Sequence, residues 1–300
     1  MPIAVSIFNR YMLMIAAFDL WETEDWMDAN LNLTKTEPIS DQFDLLDYES
    51  VHFIRNLGFM YFIFLGTVCY TLFVLLVKKV CTCKNKTCRT SVDYLYNSAI
   101  WNLSIRFFLE SHMIICVCFM TSMTSVQIET AGELFSAANG VLFSLVILAL
   151  PCLLTYLVWM YESELRSEWF TKKYGSLLLG IDVKGKGVLR ILFYPLMFGA
   201  RRIIMAISCV FLLYDGRLQL MISYLVSFFV TVSVMSNNFF ATRKANRIEA
   251  FNEYTVLILL YHQICFVLGF IPNADTRELI GYSSLLWIIL NLCVNLFILL

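Results

Sequence analysis

Phe239–Tyr282, FFATRKANRIEAFNEYTVLILLYHQICFVLGFIPNADTRELIGY, passes from a basic linker through an apolar run and a short polar turn into a further apolar run. Arg243, Lys244 and Arg247 crowd the linker, and Pro272 marks the turn. A chain that crosses a bilayer and comes back reads this way. Basic residues stay on the cytoplasmic side, and about 20 mostly apolar residues cover roughly 30 Å of hydrocarbon.

The rest of the chain repeats the pattern. Of 300 residues, 59% are hydrophobic and 15% charged. A soluble domain is nearer about 45–50% apolar with about 25% charge. The expected fold class is therefore all-α, a polytopic transmembrane helix bundle of about seven spans. These fall at about 57–77, 98–121, 141–160, 188–214, 218–236, 254–271 and 281–300. No basic domain or recognition motif speaks for nucleic acid, so the expected partner is the lipid bilayer, with a homo-oligomer as the second.

Loop charge orients the bundle. The connection after the first span carries Lys78, Lys79, Lys84, Lys86 and Arg89. The one after the third carries Arg166, Lys172, Lys173, Lys184 and Lys186, and the one after the fifth is the basic linker. The alternate connections hold only Arg217 and Arg277. By the positive-inside rule the N-terminus lies outside and the C-terminus inside, and the plasma membrane is the expected location.

Residues 1–56 read as an extracytoplasmic pre-membrane segment ahead of the 57–300 bundle. A short apolar helix within MPIAVSIFNRYMLMIAAFDLW is followed by nine acidic residues from Glu22 to Glu49. No clear signal peptide is present, since a basic leader is lacking and Arg10 interrupts the apolar run. Asn32-Leu33-Thr34 is an N-glycosylation sequon, usable if this side is extracytoplasmic. The chain stops at Leu300 inside its last apolar run, as a fragment of a longer protein would.

Ten cysteines are present, none in residues 1–56, so no disulfide-stapled ectodomain is expected. Cys81, Cys83 and Cys88 sit beside basic residues below the first span. Reduced thiols and reversible acylation are both open there, while three cysteines without a fourth ligand make a poor zinc site. No catalytic, metal-ligating or cofactor-binding constellation appears, and no enzyme activity is expected.

Polar residues at membrane depth are costly and mark either helix packing or a pathway. Asn102, Arg106 and Glu110 are spaced to share one helical face, where Arg106 and Glu110 can pair. Arg201 and Arg202 fall mid-span after Pro195 and Gly199, which suggest a kink or break. One expectation is that either arginine reaches Glu110; the other is that both snorkel to water. Arg243 and Arg247 share a face suited to anionic lipid at the inner leaflet, with Lys244 beside them.

Three stretches carry a family resemblance: residues 37–58, EPISDQFDLLDYESVHFIRNLG; residues 172–206, KKYGSLLLGIDVKGKGVLRILFYPLMFGARRIIMA; and residues 246–296, NRIEAFNEYTVLILLYHQICFVLGFIPNADTRELIGYSSLLWIILNLCVNL. They resemble the TRP-like C-terminal membrane module of large ciliate cysteine-rich surface proteins, itself distantly similar to fungal TRP-like membrane proteins. The resemblance implies a polytopic protein with cation-channel activity and supplies no binding residues. Against a conventional filter, the outer connection Ile271–Gly281 is too short for a pore helix and a returning strand. A ring of Asp275 and Glu278 from several subunits would still make a cation-attracting mouth. Two other readings stand beside the channel subunit: a non-conducting membrane anchor of a larger surface protein, and a seven-helix receptor.

Overall fold

The computed structural model describes residues 23–34, 36–44, 48, 50–80, 86–126, 128–178, 180–183, 187–267, 271 and 273–299, and the elements among them are helices, with no strand. Short helices α1 (Thr23–Leu31), α2 (Asp41–Asp44) and α3 (Phe53–Leu57) precede α4 (Phe59–Val80). Helix α5 (Lys86–Asn97) runs through a π-helical turn, Ser98–Leu103, into α6 (Ser104–Glu110) and then α7 (His112–Thr124). Next come α8 (Ala131–Met160), the short α9 (Glu168–Tyr174), α10 (Val188–Phe211), α11 (Gly216–Ser236), α12 (Arg243–Val267) and α13 (Ala274–Leu299). The expected apolar helix within residues 1–21 lies outside the described residues.

Five of these helices, α4, α8, α10, α11 and α13, are long and apolar enough to cross a membrane. Residues Thr90–Glu110 and His112–Thr124 pass the same test only as a pair, bent by 60°, which is the geometry of a broken sixth span or of a re-entrant loop. The chain is thus a multi-pass integral membrane protein, and its exposed apolar helix faces, such as Leu72 and Phe73 on α4 or Phe228 and Phe229 on α11, are suited to lipid. The expected 98–121 span is this bent pair rather than one straight rod. The expected 254–271 span corresponds to α12, which does not pass the same test over its described part; Asn252, Glu253, His262 and Gln263 interrupt its apolar run. Helix α10 continues through Pro195 and Gly199, so the break expected there is absent.

The chain divides into two compact units, Ala17–Gly199 and Ala200–Leu300, with the boundary inside α10. In the first unit an aromatic cluster joins α3, α4 and α8: Phe64 meets Phe143 edge-on at 4.7 Å between ring centroids, and Phe53 lies against the same ring at 5.6 Å. A second core gathers Leu154, Val158, Phe170, Tyr174, Leu177 and Ile191, seating α9 beneath the end of α8.

The described part of the pre-membrane segment does not stand apart; it docks on the start of α8. Thirty residues make α8 about 45 Å long against roughly 30 Å of hydrocarbon, so length alone lets its first turns project beyond it. There Thr130 and Glu133 form a capping box, each side chain taking the other's backbone N–H. Glu133, 1% exposed, also accepts from the Thr34 hydroxyl at 2.5 Å and the Glu129 N–H at 2.5 Å. The Ile54 N–H donates to Ser136 Oγ at 3.1 Å, and Arg55 pairs with Asp28 at 3.1 Å. Gly132 is required at this junction, because a Cβ there would collide with the Leu31 carbonyl oxygen. Gly132→Ala is expected to lower the unit's unfolding free energy by about 1–3 kcal/mol, read from denaturation in detergent–lipid micelles.

Glu133→Gln is expected to weaken this junction, so limited proteolysis should cut residues 23–57 faster in the variant than in the wild type.

Candidate functional site: a polar helix in the membrane bundle

Helix α12 is polar where its neighbours are apolar, and it bonds to three of them within the Ala200–Leu300 unit. Arg201 on α10 places Nη1 2.6 Å from both carboxylate oxygens of Glu253 on α12. Their side chains are 13% and 10% exposed. Arg201 Nη2 also donates to Ser227 Oγ on α11 at 3.5 Å. Thr231 on α11 divides its hydroxyl between the Ser227 carbonyl at 2.8 Å and the Glu253 carbonyl at 3.4 Å. A paired, hydrogen-bonded charge is the only form in which a carboxylate persists at such a site.

One residue earlier, Asn252 faces α13. Its Oδ1 accepts from Asn291 Nδ2 at 2.9 Å and Asn295 Nδ2 at 2.8 Å, while its own Nδ2 donates to Asn295 Oδ1 at 3.3 Å. Asn291 and Asn295 are one turn apart on α13, which is why both reach one partner. All three asparagines are half-buried.

Farther along α12, His262 lies 3.1 Å from Ser283 Oγ on α13, and the Tyr261 and Tyr224 hydroxyls are 2.6 Å apart. At about 1.5 Å per residue, the His262 and Asn252 levels lie roughly 15 Å apart, half the hydrocarbon thickness. The contacts therefore form a ladder along α12.

The residues singled out from sequence separate in space. Asn102 does not join Arg106 and Glu110. The π-helical turn that carries it shifts the helix phase before α6 begins. Asn102 instead donates to the Lys172 carbonyl at 2.8 Å and accepts from the Ser176 N–H at 3.2 Å, clamping α9 to the turn. Asn102→Leu is expected to remove about 1–2 kcal/mol from the first unit's stability, measured by unfolding, by stripping both groups of their partner. Arg106 and Glu110 pair along one helix at 2.6 Å with side chains 63% and 64% exposed, a weak contact where water reaches it.

Arg201 finds its carboxylate in Glu253 rather than in Glu110, whose own partner is Arg106. Arg202 is half-buried beside it. Arg243, Lys244 and Arg247 are exposed in the first turns of α12. Asp275 and Glu278 are exposed at the start of α13, where the helix dipole favours them, and Glu278 accepts from the Tyr282 hydroxyl at 2.9 Å. Asn32 is exposed just after α1. Cys81 and Cys83 lie outside the described residues, as does the side chain of Cys88.

Sequence reasoning passed over Glu253 as Arg201's partner and passed over the asparagine cluster altogether. The i, i+4 spacing of Asn291 and Asn295 within an apolar run was the available signal. Among the described residues no cluster of histidine, cysteine or carboxylate could hold a metal ion. Comparison with family models, curated proteins and solved structures finds no match.

Proposed function

We propose that the chain is a TRP-like multi-pass membrane protein that acts as a cation-channel subunit in the plasma membrane, with its N-terminus outside and its C-terminus inside. The observation that carries this reading is the half-buried Asn252–Asn291–Asn295 cluster between α12 and the apolar α13. Carboxamides partly open to hydrocarbon are unfavourable, and water or a second copy of the chain removes the penalty. Copies arranged about an axis with α12 and α13 innermost would turn these amide oxygens toward a wet path, with Asp275 and Glu278 ringing its outer mouth.

The connection between α12 and α13 narrows the kind of channel. Residues 268–273 amount to fewer than two helical turns, too few for a pore helix and a filter strand. The path is then lined by side chains on helices, which sort ions by charge and hardly by size. A non-conducting membrane anchor is the competing reading, favoured by the full pairing of Glu253 with Arg201.

Oligomeric state separates the two. Native mass of the purified full chain in lipid nanodiscs is expected to show a homo-oligomer of defined stoichiometry. A monomer at every lipid-to-protein ratio contradicts the channel and leaves the anchor.

A further inference from the structure

We propose that Asn32 is N-glycosylated before the N-terminal segment docks on α8, and that the equivalent sequon on the other side of α4 is left bare. Asn32-Leu33-Thr34 follows α1 directly, and Asn32 is exposed with φ 50°, so its carboxamide lies at the surface of the docked segment. The rest of the sequon is engaged in the folded protein. Leu33 is 7% exposed, and the Thr34 hydroxyl donates to the buried Glu133 at 2.5 Å.

A glycosyltransferase reads the hydroxyl of the third sequon residue. That hydroxyl cannot serve the enzyme and Glu133 at once, so transfer precedes docking. The co-substrate is a lipid-pyrophosphate-linked oligosaccharide. A bond forms between Asn32 Nδ2 and the anomeric carbon of the first sugar, the bond from that carbon to the pyrophosphate oxygen breaks, and Nδ2 gives up one proton. Once docked, the exposed position of Asn32 lets the attached glycan project without displacing Leu33 or Thr34.

Asn85-Lys86-Thr87 is a second sequon, and α4 (Phe59–Val80) lies between the two. One membrane crossing therefore separates them, and only one can face the transferase. Asn102-Leu103-Ser104 is a third match, but a glycan on Asn102 would break the clamp that its carboxamide makes on Lys172 and Ser176, so the folded chain does not accommodate one there. The choice between Asn32 and Asn85 thus reads the orientation of α4 directly.

The test expresses the full chain in eukaryotic cells, digests it with peptide N-glycosidase, and identifies the modified peptide by mass. The wild type is expected to show a single-glycan mobility step, with the deglycosylated asparagine at position 32. Asn32→Gln is expected to abolish the step. Thr34→Ser, which keeps both the sequon and the donor to Glu133, is expected to retain it, and Asn85→Gln to leave it unchanged. A wild-type chain with no sensitive step overturns the proposal, as does a step lost in Asn85→Gln. The readout is independent of conduction, so a silent but glycosylated protein would count against the channel alone.

Discussion

Glu253→Ala is expected to destabilise the Ala200–Leu300 unit by about 3–5 kcal/mol, the penalty for leaving Arg201 buried without its carboxylate. The pair is 2.6 Å apart with both side chains mostly buried, so neither charge can turn to water without moving a helix. Arg201→Ala is expected to do the same from the other side, because Glu253 would then lose the cation that pairs with it. The converse result matters more. Replacing both residues with methionine removes the desolvation penalty together with the attraction, so the double variant is expected to recover most of the loss. Unfolding in detergent–lipid micelles gives all three values. Single variants within about 1 kcal/mol of wild type would show that the ion pair does not hold α10 to α12.

Conduction is expected to respond to the asparagine cluster more strongly than stability does. In Asn291→Leu combined with Asn295→Leu, Asn252 loses its partners on α13 and the proposed path loses two amide groups. Interhelical side-chain hydrogen bonds in lipid are worth about 0.6–2 kcal/mol, so the fold should survive. Single-channel conductance is expected to fall at least tenfold. Asn291→Asp, which adds an acceptor charge at nearly constant shape, is expected to raise cation over anion preference. A double leucine variant that conducts like wild type would place the path elsewhere.

Much of the architecture follows from local rules. Apolar runs of about 20 residues set α4, α8, α10, α11 and α13, because a bilayer accepts only backbone that satisfies itself within one segment. Helix α12 is the instructive exception. Its polar residues lower its hydropathy for the same reason they matter, since Asn252, Glu253 and His262 each bond to a neighbouring helix. The partners themselves were beyond a reading by helical spacing. That rule found Arg106 with Glu110 correctly and could not find Arg201 with Glu253, 52 positions away. It also misled at Asn102, where a π-helical turn changes the count of residues per turn. Glu133 was invisible for a different cause. Its distant partners, Thr34 and His52, lie in a pre-membrane stretch that reads from sequence as a polar segment ahead of the bundle, with no signal that it docks.

The reversal potential of the purified full chain in planar bilayers, under an asymmetric potassium chloride gradient, tests the central claim most directly. The polar helix and acidic mouth predict a current that reverses near the potassium equilibrium potential. If the connection between α12 and α13 is too short to hold a filter, as the proposal requires, replacing potassium by sodium on one side should shift that potential by only a few millivolts. No current at any voltage with calcium present or absent, or reversal near the chloride potential, would contradict the account.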